Sequence, residues 1–402
     1  MPLPDGFASL DFTRYHREEL ARAAAGERGR IAGYAAARLR SLALVVDGAG
    51  AFTYRVQDGS LTVVDGDDAD TVLALDLETW QGFAHDLEAP AGILYAGRVD
   101  CRRGDALAFM AWETPLRALY HGRVPYEPDA IRLADRAGAP LDVARTFTLR
   151  DDRDEMAHFL RVAGYLLVRD VFAPDEVAAF LAEVTALRAE ARRGDKLSWW
   201  GKGPGGEDVC CRVTRGATKP RLASLRCDAR LIRLVGLADE PLAYRRGEGD
   251  GVAVIYKQPG MTEGLGDLPW HRDCGMGGHA IMCPTAIASV FLTDGSAGAG
   301  ELVFLPGSRH AAFNAHDPRW RGELPGAHFA ARPGDVTLHY GDTVHCAPPP
   351  SDPARDAYRI SAIVGYARPG ARHHRGEASY NDALHRRDDG QVEHLTRVAK
   401  RG

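Results

Sequence analysis

From Gly251 to Arg372 the chain carries many Gly and Pro turn signals and no convincing helix. Short strands broken by turns are restricted to sandwich and barrel solutions, and this stretch suits a double-stranded β-helix, the jelly-roll barrel. Alternate residues of each barrel strand face the interior, so any chemistry must sit at inward positions. Trp270-His271-Arg272-Asp273 reads as a strand within this stretch. His271 and Asp273 then share one face, because strand side chains repeat every two residues.

An imidazole and a carboxylate so placed can take two adjacent corners of a divalent metal's shell. A third ligand is offered downstream by Gly341-Asp342-Thr343-Val344-His345. Two His and one carboxylate on one face of a metal, with the other positions open, is the arrangement of non-haem Fe(II) oxygenases. Arg359, 14 residues after His345, opens the apolar run RISAIVGY. A guanidinium there could grip the far carboxylate of a 2-oxo acid at two points. His-x-Asp alone is a common pattern in a chain with 15 His; its order with a distant His and a strand-heading Arg carries the weight. His339 precedes the GDTVH phrase and suits a pocket position better than a ligand position. His279 and His310 fall among Gly and turn residues, where a structural or solvent role is expected. Arg355 competes with Arg359 but lies in the turn-forming PPPSDPARD.

The phrases YKQPG, GELVFLPGSRH and GDVTLHYGDTVH, taken with this order of residues, resemble the phytanoyl-CoA dioxygenase family over about residues 150–370. That resemblance implies Fe(II) on His271, Asp273 and His345, with 2-oxoglutarate chelated to it and held by Arg359. Ser361 shares a face with Arg359, and an Arg-x-Ser pair contacts the oxoacid in some relatives. Lys257 resembles the family's Lys before a Pro-Gly turn, implicated in oxoacid binding; its plainer reading is a snorkelling strand-end Lys. The implied reaction consumes O2, releases succinate and CO2, and hydroxylates or otherwise oxidises a small, apolar or acyl-type substrate. Related halogenases replace the carboxylate by a small residue, so Asp273 favours hydroxylation, desaturation or ring formation. Two alternatives stand beside it: a metal-dependent cupin-like enzyme without 2-oxoglutarate, and a lipid-binding carrier with an idle oxygenase domain.

Upstream, residues 13–40 read as a helix, followed by strands at Leu42–Val46, Phe52–Val56, Leu61–Val64 and Thr71–Leu75. Helices follow over LETWQGFAHDLE and about Asp105–Leu119, where Pro115 is expected to break or kink the second. This α+β order resembles a sterol-carrier-protein domain, which encloses an apolar tunnel for lipids and acyl-CoA esters. A small α+β domain serving dimerisation or stability is the alternative. The expected organisation is residues 1–125 for this domain, 126–150 as linker, 151–372 for the oxygenase jelly roll with flanking helices, and 373–402 as a polar surface tail. Every metal and oxoacid candidate lies beyond Gly251, so the N-terminal domain is expected to be dispensable for iron chemistry. Trp199-Trp200 is read as a mobile loop at the barrel mouth or a core cap. Arg212, Arg215, Lys219 and Arg221 are read as a solvated basic cluster.

Composition narrows the partners. A net charge of −5 with interspersed signs and no basic tract excludes nucleic acid as the expected partner. Seven Cys without a CxxC pair argue against a disulfide framework. No apolar run approaches 18 residues, so no stable membrane insertion is expected. These features predict a soluble cytoplasmic protein acting on a small molecule, lipid-like or carrier-bound.

Overall fold

The computed structural model describes residues 3–245, 250–261, 264–266, 268–276, 285–316, 320, 324–350, 352, 358–370, 391 and 395–400. His279, Arg355 and most of the expected tail lie outside the described residues.

The N-terminal part is a five-stranded sheet in the order β3-β2-β1-β4-β5. Its strands are β1 Leu42–Val46, β2 Gly50–Gln57, β3 Ser60–Asp65, β4 Thr71–Leu75 and β5 Asp100–Arg103. β1 is apolar throughout and β4 is apolar after Thr71; both are buried along their whole length, as strands covered on both faces must be, and they pair in parallel at the centre. Helices Glu27–Ala36, Leu77–Ala84, Pro90–Tyr95 and Ala108–His121 accompany the sheet. The last runs on through Pro115 without breaking and stops where Gly122 takes a left-handed conformation. Helix Pro90–Tyr95 was not expected from the sequence.

Beyond β6 (Phe147–Thr148) the chain alternates helix Arg153–Ala163, β7 (Tyr165–Arg169) and helix Pro174–Glu190. The jelly-roll strands follow: β8 Ser198–Lys202, β9 Asp208–Val213, β10 Ala243–Tyr244, β11 Val252–Lys257, β12 Leu268–His271, β13 Thr285–Phe291, β14 Val303–Phe304, β15 Val336–Tyr340, β16 His345–Ala347 and β17 Arg359–Ala367. A large sheet runs β6-β7-β15-β13-β17-β11-β9-β8, with β10 also on β17, and faces a small sheet β12-β16-β14. Trp199 and Trp200 therefore lie in an edge strand, not a loop. The strand expected to carry both His271 and Asp273 ends at His271, and Asp273 opens the helical turn Asp273–Met276.

The two faces of the large sheet have different fates. Val252, Val254, Tyr256, Ala362, Val364 and Tyr366 belong to the main core, and the Tyr256 hydroxyl donates to Val184 O of helix Pro174–Glu190 at 2.8 Å. Each fully buried aliphatic side chain of this kind contributes roughly 1.5–3 kcal/mol. Ile255, Ile287, Ile363 and Gly365 occupy the opposite, inner face and stay partly open. That face bounds the site. The expected polar tail also departs from a surface segment where it is described: Ala399 joins the N-terminal core, and Gln391 accepts from Trp200 N–H.

Gly164 ends helix Arg153–Ala163 at φ 95°, and its carbonyl accepts from Thr343 Oγ1 at 2.8 Å. A methyl group at Gly164 would come within 2.5 Å of that Oγ1. Left-handed strain alone costs about 1–2 kcal/mol, so Gly164→Ala should lower stability by at least that amount, read as an earlier chemical-unfolding midpoint. An unchanged midpoint would show that the Thr343 turn moves freely.

Candidate metal centre

His271 ends β12 and His345 begins β16, and these two residues are register partners in the small sheet. Asp273 follows two residues later, and one donor atom from each of the three lies within 4.8 Å of the others. His271 Nε2 is 3.6 Å and His345 Nε2 3.8 Å from Asp273 Oδ1. Donors at right angles on a metal with bonds of about 2.1 Å are about 3 Å apart, so a small contraction onto an ion suffices.

The outward ring nitrogens show how the imidazoles are aimed. His271 Nδ1 bonds Pro269 O at 2.8 Å and His345 Nδ1 bonds Thr343 O at 3.0 Å. A carbonyl can only accept, so each Nδ1 carries the proton and each Nε2 presents a lone pair to the site. His339, on β15, bonds Asp273 Oδ2 through Nε2 at 3.2 Å. That contact occupies one carboxylate oxygen and leaves Oδ1 for the two imidazoles, which is the pocket position expected for His339. The residues therefore fit a divalent metal on His271, Asp273 and His345.

Electrostatics agree. Burial alone would raise the Asp273 carboxyl, but His345, His271 and His339 override it and hold it well below the usual carboxylate range. Burial, reinforced by His271, pushes His345 down to about 3, so this ring is neutral near pH 7.

Arg359 lies on the inner face of the large sheet beside its cross-strand partner Lys257, with Ser361 next along the same face. All three are buried. Arg359 meets no acidic side chain among the described residues, its Nε has no hydrogen-bond partner, and burial pushes its guanidinium down to about 10. A buried cation without an acceptor is costly, and this one fits an incoming carboxylate. Lys257 Nζ donates to Ala347 O, two residues beyond His345, and so ties the sheets together.

Of the expected basic cluster, Arg215 and Lys219 meet at Glu190 and Arg221 is exposed, while Arg212 departs from it. Lys219 pairs with Glu190 and Arg215 with Asp195, whereas Arg212 stacks its guanidinium 4.3 Å over the Trp199 ring on the inner face. Its alternation with Val213 was the sequence signal for that separation. His310 bonds Arg161 O at 2.9 Å, the structural role expected of it.

Residues 160–357 match the family model described as phytanoyl-CoA dioxygenase (PhyH). Solved structures with similarity include AviO1 from Streptomyces viridochromogenes Tue57, at 26% identity over 55% of this chain and 96% of that one, TM-score 0.45. The epimerase SnoN, solved with Fe3+, alpha ketoglutarate and nogalamycin RO, matches at 24% identity over 55% and 85%, TM-score 0.42. EctD from S. alaskensis with 2-oxoglutarate and 5-hydroxyectoine matches at 18% over 62% and 88%, TM-score 0.43. No curated protein matches. A jelly roll with two imidazoles and a carboxylate on its inner wall places the C-terminal part in the class of non-haem metal oxygenase folds. Within that class, the match of residues 160–357 to the phytanoyl-CoA dioxygenase family model supports that family for this part of the chain.

In the metal-free protein His345 is neutral down to about pH 3, whereas in the unfolded chain it protonates near 6.5. The unfolded state binds the proton first, so this residue makes stability fall as pH is lowered from about 6.5 towards 3. His345→Gln removes that contribution, and its metal-free melting temperature should fall less than wild type's between pH 6.5 and 4.5. Parallel curves would mean that His345 is not held neutral.

Proposed function

We propose that this protein is an Fe(II)- and 2-oxoglutarate-dependent oxygenase that hydroxylates, or otherwise oxidises, a small organic substrate with release of succinate and CO2. The observation that carries the reading is a metal-ready triad on the small sheet beside a buried Arg359 on the inner face of the large sheet, which meets no acceptor for its Nε among the described residues and whose cross-strand partner Lys257 reaches Ala347 O, two residues beyond His345. His271, Asp273 and His345 would hold the iron, which supplies the oxidising chemistry when bound. Arg359 would fix the far carboxylate of the oxoacid at two points, with Ser361 alongside and Lys257 adding positive charge. His339 keeps the Asp273 carboxylate turned so that one oxygen faces the metal position.

Ile255, Ile287 and Ile363 wall the inner face and favour an apolar portion of substrate. Among the described residues a methyl group at Gly365 would meet nothing within 4 Å, which supports room on that face for the substrate. A phytanoyl-CoA-like acyl substrate is one member of that class. A retained carboxylate at Asp273 favours hydroxylation, desaturation or ring closure over halogenation. The cupin-like alternative without oxoacid gives no reason to bury a lone guanidinium at Arg359, and the idle-carrier alternative gives none for the triad.

For the N-terminal domain, the core is packed with Phe12, Phe52, Tyr54, Trp80, Trp112 and Tyr120. His16 Nε2, Tyr54 OH and Tyr120 OH form a buried chain with steps of 2.6 Å. Close-packed rings favour a structural role over lipid carriage. No helix among the described residues is long and apolar enough to cross a membrane. Cys210 and Cys211 are neighbouring buried thiols, both pushed up by burial, in keeping with a reducing cytoplasm.

Anaerobic protein with Fe(II) and 2-oxoglutarate should show a weak visible charge-transfer band. His271→Ala, Asp273→Ala and His345→Ala should each abolish it or sharply weaken metal binding; a band unchanged in all three would place the ligands elsewhere. Arg359→Leu should retain iron affinity but weaken 2-oxoglutarate by ~30-fold or more, the equivalent of about 2 kcal/mol for a lost desolvated charge pair. Without oxoacid the same variant should be at least as stable as wild type, because an uncompensated buried cation has gone. Normal oxoacid affinity in this variant would assign the grip to another residue.

A further inference from the structure

Arg272 stands between two of the three metal-site residues, yet its guanidinium is turned into the protein. It is buried, and its Nη2 donates to Ser308 O at 2.9 Å and to Ala311 O at 2.6 Å. Ser308 is itself wholly buried, and its Oγ accepts from the backbone N–H of Val344 at 2.9 Å. Val344 O in turn accepts from Leu305 N–H at 2.9 Å. One serine is therefore bonded to the residue joining His271 and Asp273, and to the residue preceding His345.

Segment 305–314 is also held from the N-terminal side. Ala312 N–H donates to Val124 O and Tyr126 N–H to Ala312 O, both at 2.8 Å, while Tyr126 OH donates to Pro306 O at 3.1 Å. Tyr126 shares an apolar cluster with Leu305, Ala311, Phe313 and Val344, and Trp270 packs against it. Trp270 and Val344 immediately precede His271 and His345. Asn314 Nδ2 donates to Glu113 in helix Ala108–His121. Glu113 also accepts from Arg117 at 2.9 Å, and Arg117 pairs with Asp86 at 2.6 Å, all in low exposure. In such a setting each partner is costly to remove.

We propose that Ser308 and Arg272 are positioning residues of the metal centre, braced by the N-terminal domain through Asn314 and Glu113. The N-terminal domain is thereby part of the support of the metal site, not a detachable substrate presenter. The inference rests on the metal-site reading above. It goes beyond that reading by assigning metal geometry to residues that touch neither metal nor substrate. Ser308 sets the spacing between the two strands of the triad, and the seam with helix Ala108–His121 keeps segment 305–314 from relaxing.

The test uses the full chain, anaerobically, with Co(II) as the probe, reading affinity and the visible ligand-field band beside the melting temperature. Partners that orient metal ligands typically change affinity ~10–100-fold. Ser308→Ala should weaken Co(II) about 10-fold and alter the band, Arg272→Met should do the same, and Arg272→Lys should recover part of the loss. Asn314→Asp, which sets a carboxylate against Glu113, should weaken Co(II) several-fold although it touches neither ligand strand. Val184→Ala, in the core behind the large sheet, supplies a variant that melts earlier with Co(II) binding intact. If the Ser308, Arg272 and Asn314 variants resemble it, melting earlier with unchanged affinity and band, the inference is overturned while the metal-site reading stands. Wild type that takes no Co(II), or His345→Ala that binds as wild type does, overturns both.

Discussion

The contact on which the site depends is between His339 and Asp273. A free carboxylate beside two imidazoles can rotate and offer either oxygen to either ring. His339 takes Oδ2 at 3.2 Å, leaving Oδ1 as the single oxygen near both His271 and His345. The carbonyls of Pro269 and Thr343 do the same for the two rings by taking up their Nδ1 protons. Three donors from two segments of the chain are thus aimed before a metal arrives, and orientation of ligands in advance is what gives metal sites affinity and geometry together.

The opposite wall supplies the charge asymmetry. Arg359 is buried on the inner face beside Lys257 and meets no acidic side chain among the described residues. A protein gains nothing in stability from such a group, which is why Arg359 is proposed to receive the carboxylate of a ligand. Ile255, Ile287 and Ile363 stand on the same inner face and stay partly open. That face is suited to an apolar reacting group held away from water.

The two halves of the chain are less separate than their different sheets suggest. Their apolar cores are distinct, one built on β1 and β4, the other behind β11, β13 and β17. Between them Asn314 donates to the buried Glu113, with Arg117 paired to Asp86 on the N-terminal side of the seam and Arg272 bonded to Ser308 O on the other. A chain that buries ions at a boundary between two cores restricts how those cores can move. The restriction falls on the segment whose neighbours are the metal residues.

Much was legible in the sequence because the decisive features are local. The runs Leu42–Val46 and Thr71–Leu75 are strands with those same bounds, since four or five consecutive apolar residues have few ways to be buried. The order of His271, Asp273, His345 and Arg359 was readable because the inner face of a barrel strand repeats every two residues and the flanking turns mark each strand's ends. Local periodicity misplaced Asp273 into the strand of His271, because it cannot register a helical turn that begins after two residues. It also missed the burial of Arg272, the two bonds of Ser308 and the pairing of Glu113 with Asn314, whose partners lie 36 to 201 residues apart. Sequence by itself determined which residue types stand ready for a metal and an oxoacid, because that information is in residue identity and short-range spacing. Only the tertiary structure decided that the N-terminal domain is packed against the metal-bearing segment, because hydrogen bonds across a seam follow from how distant surfaces meet and leave no period in the chain.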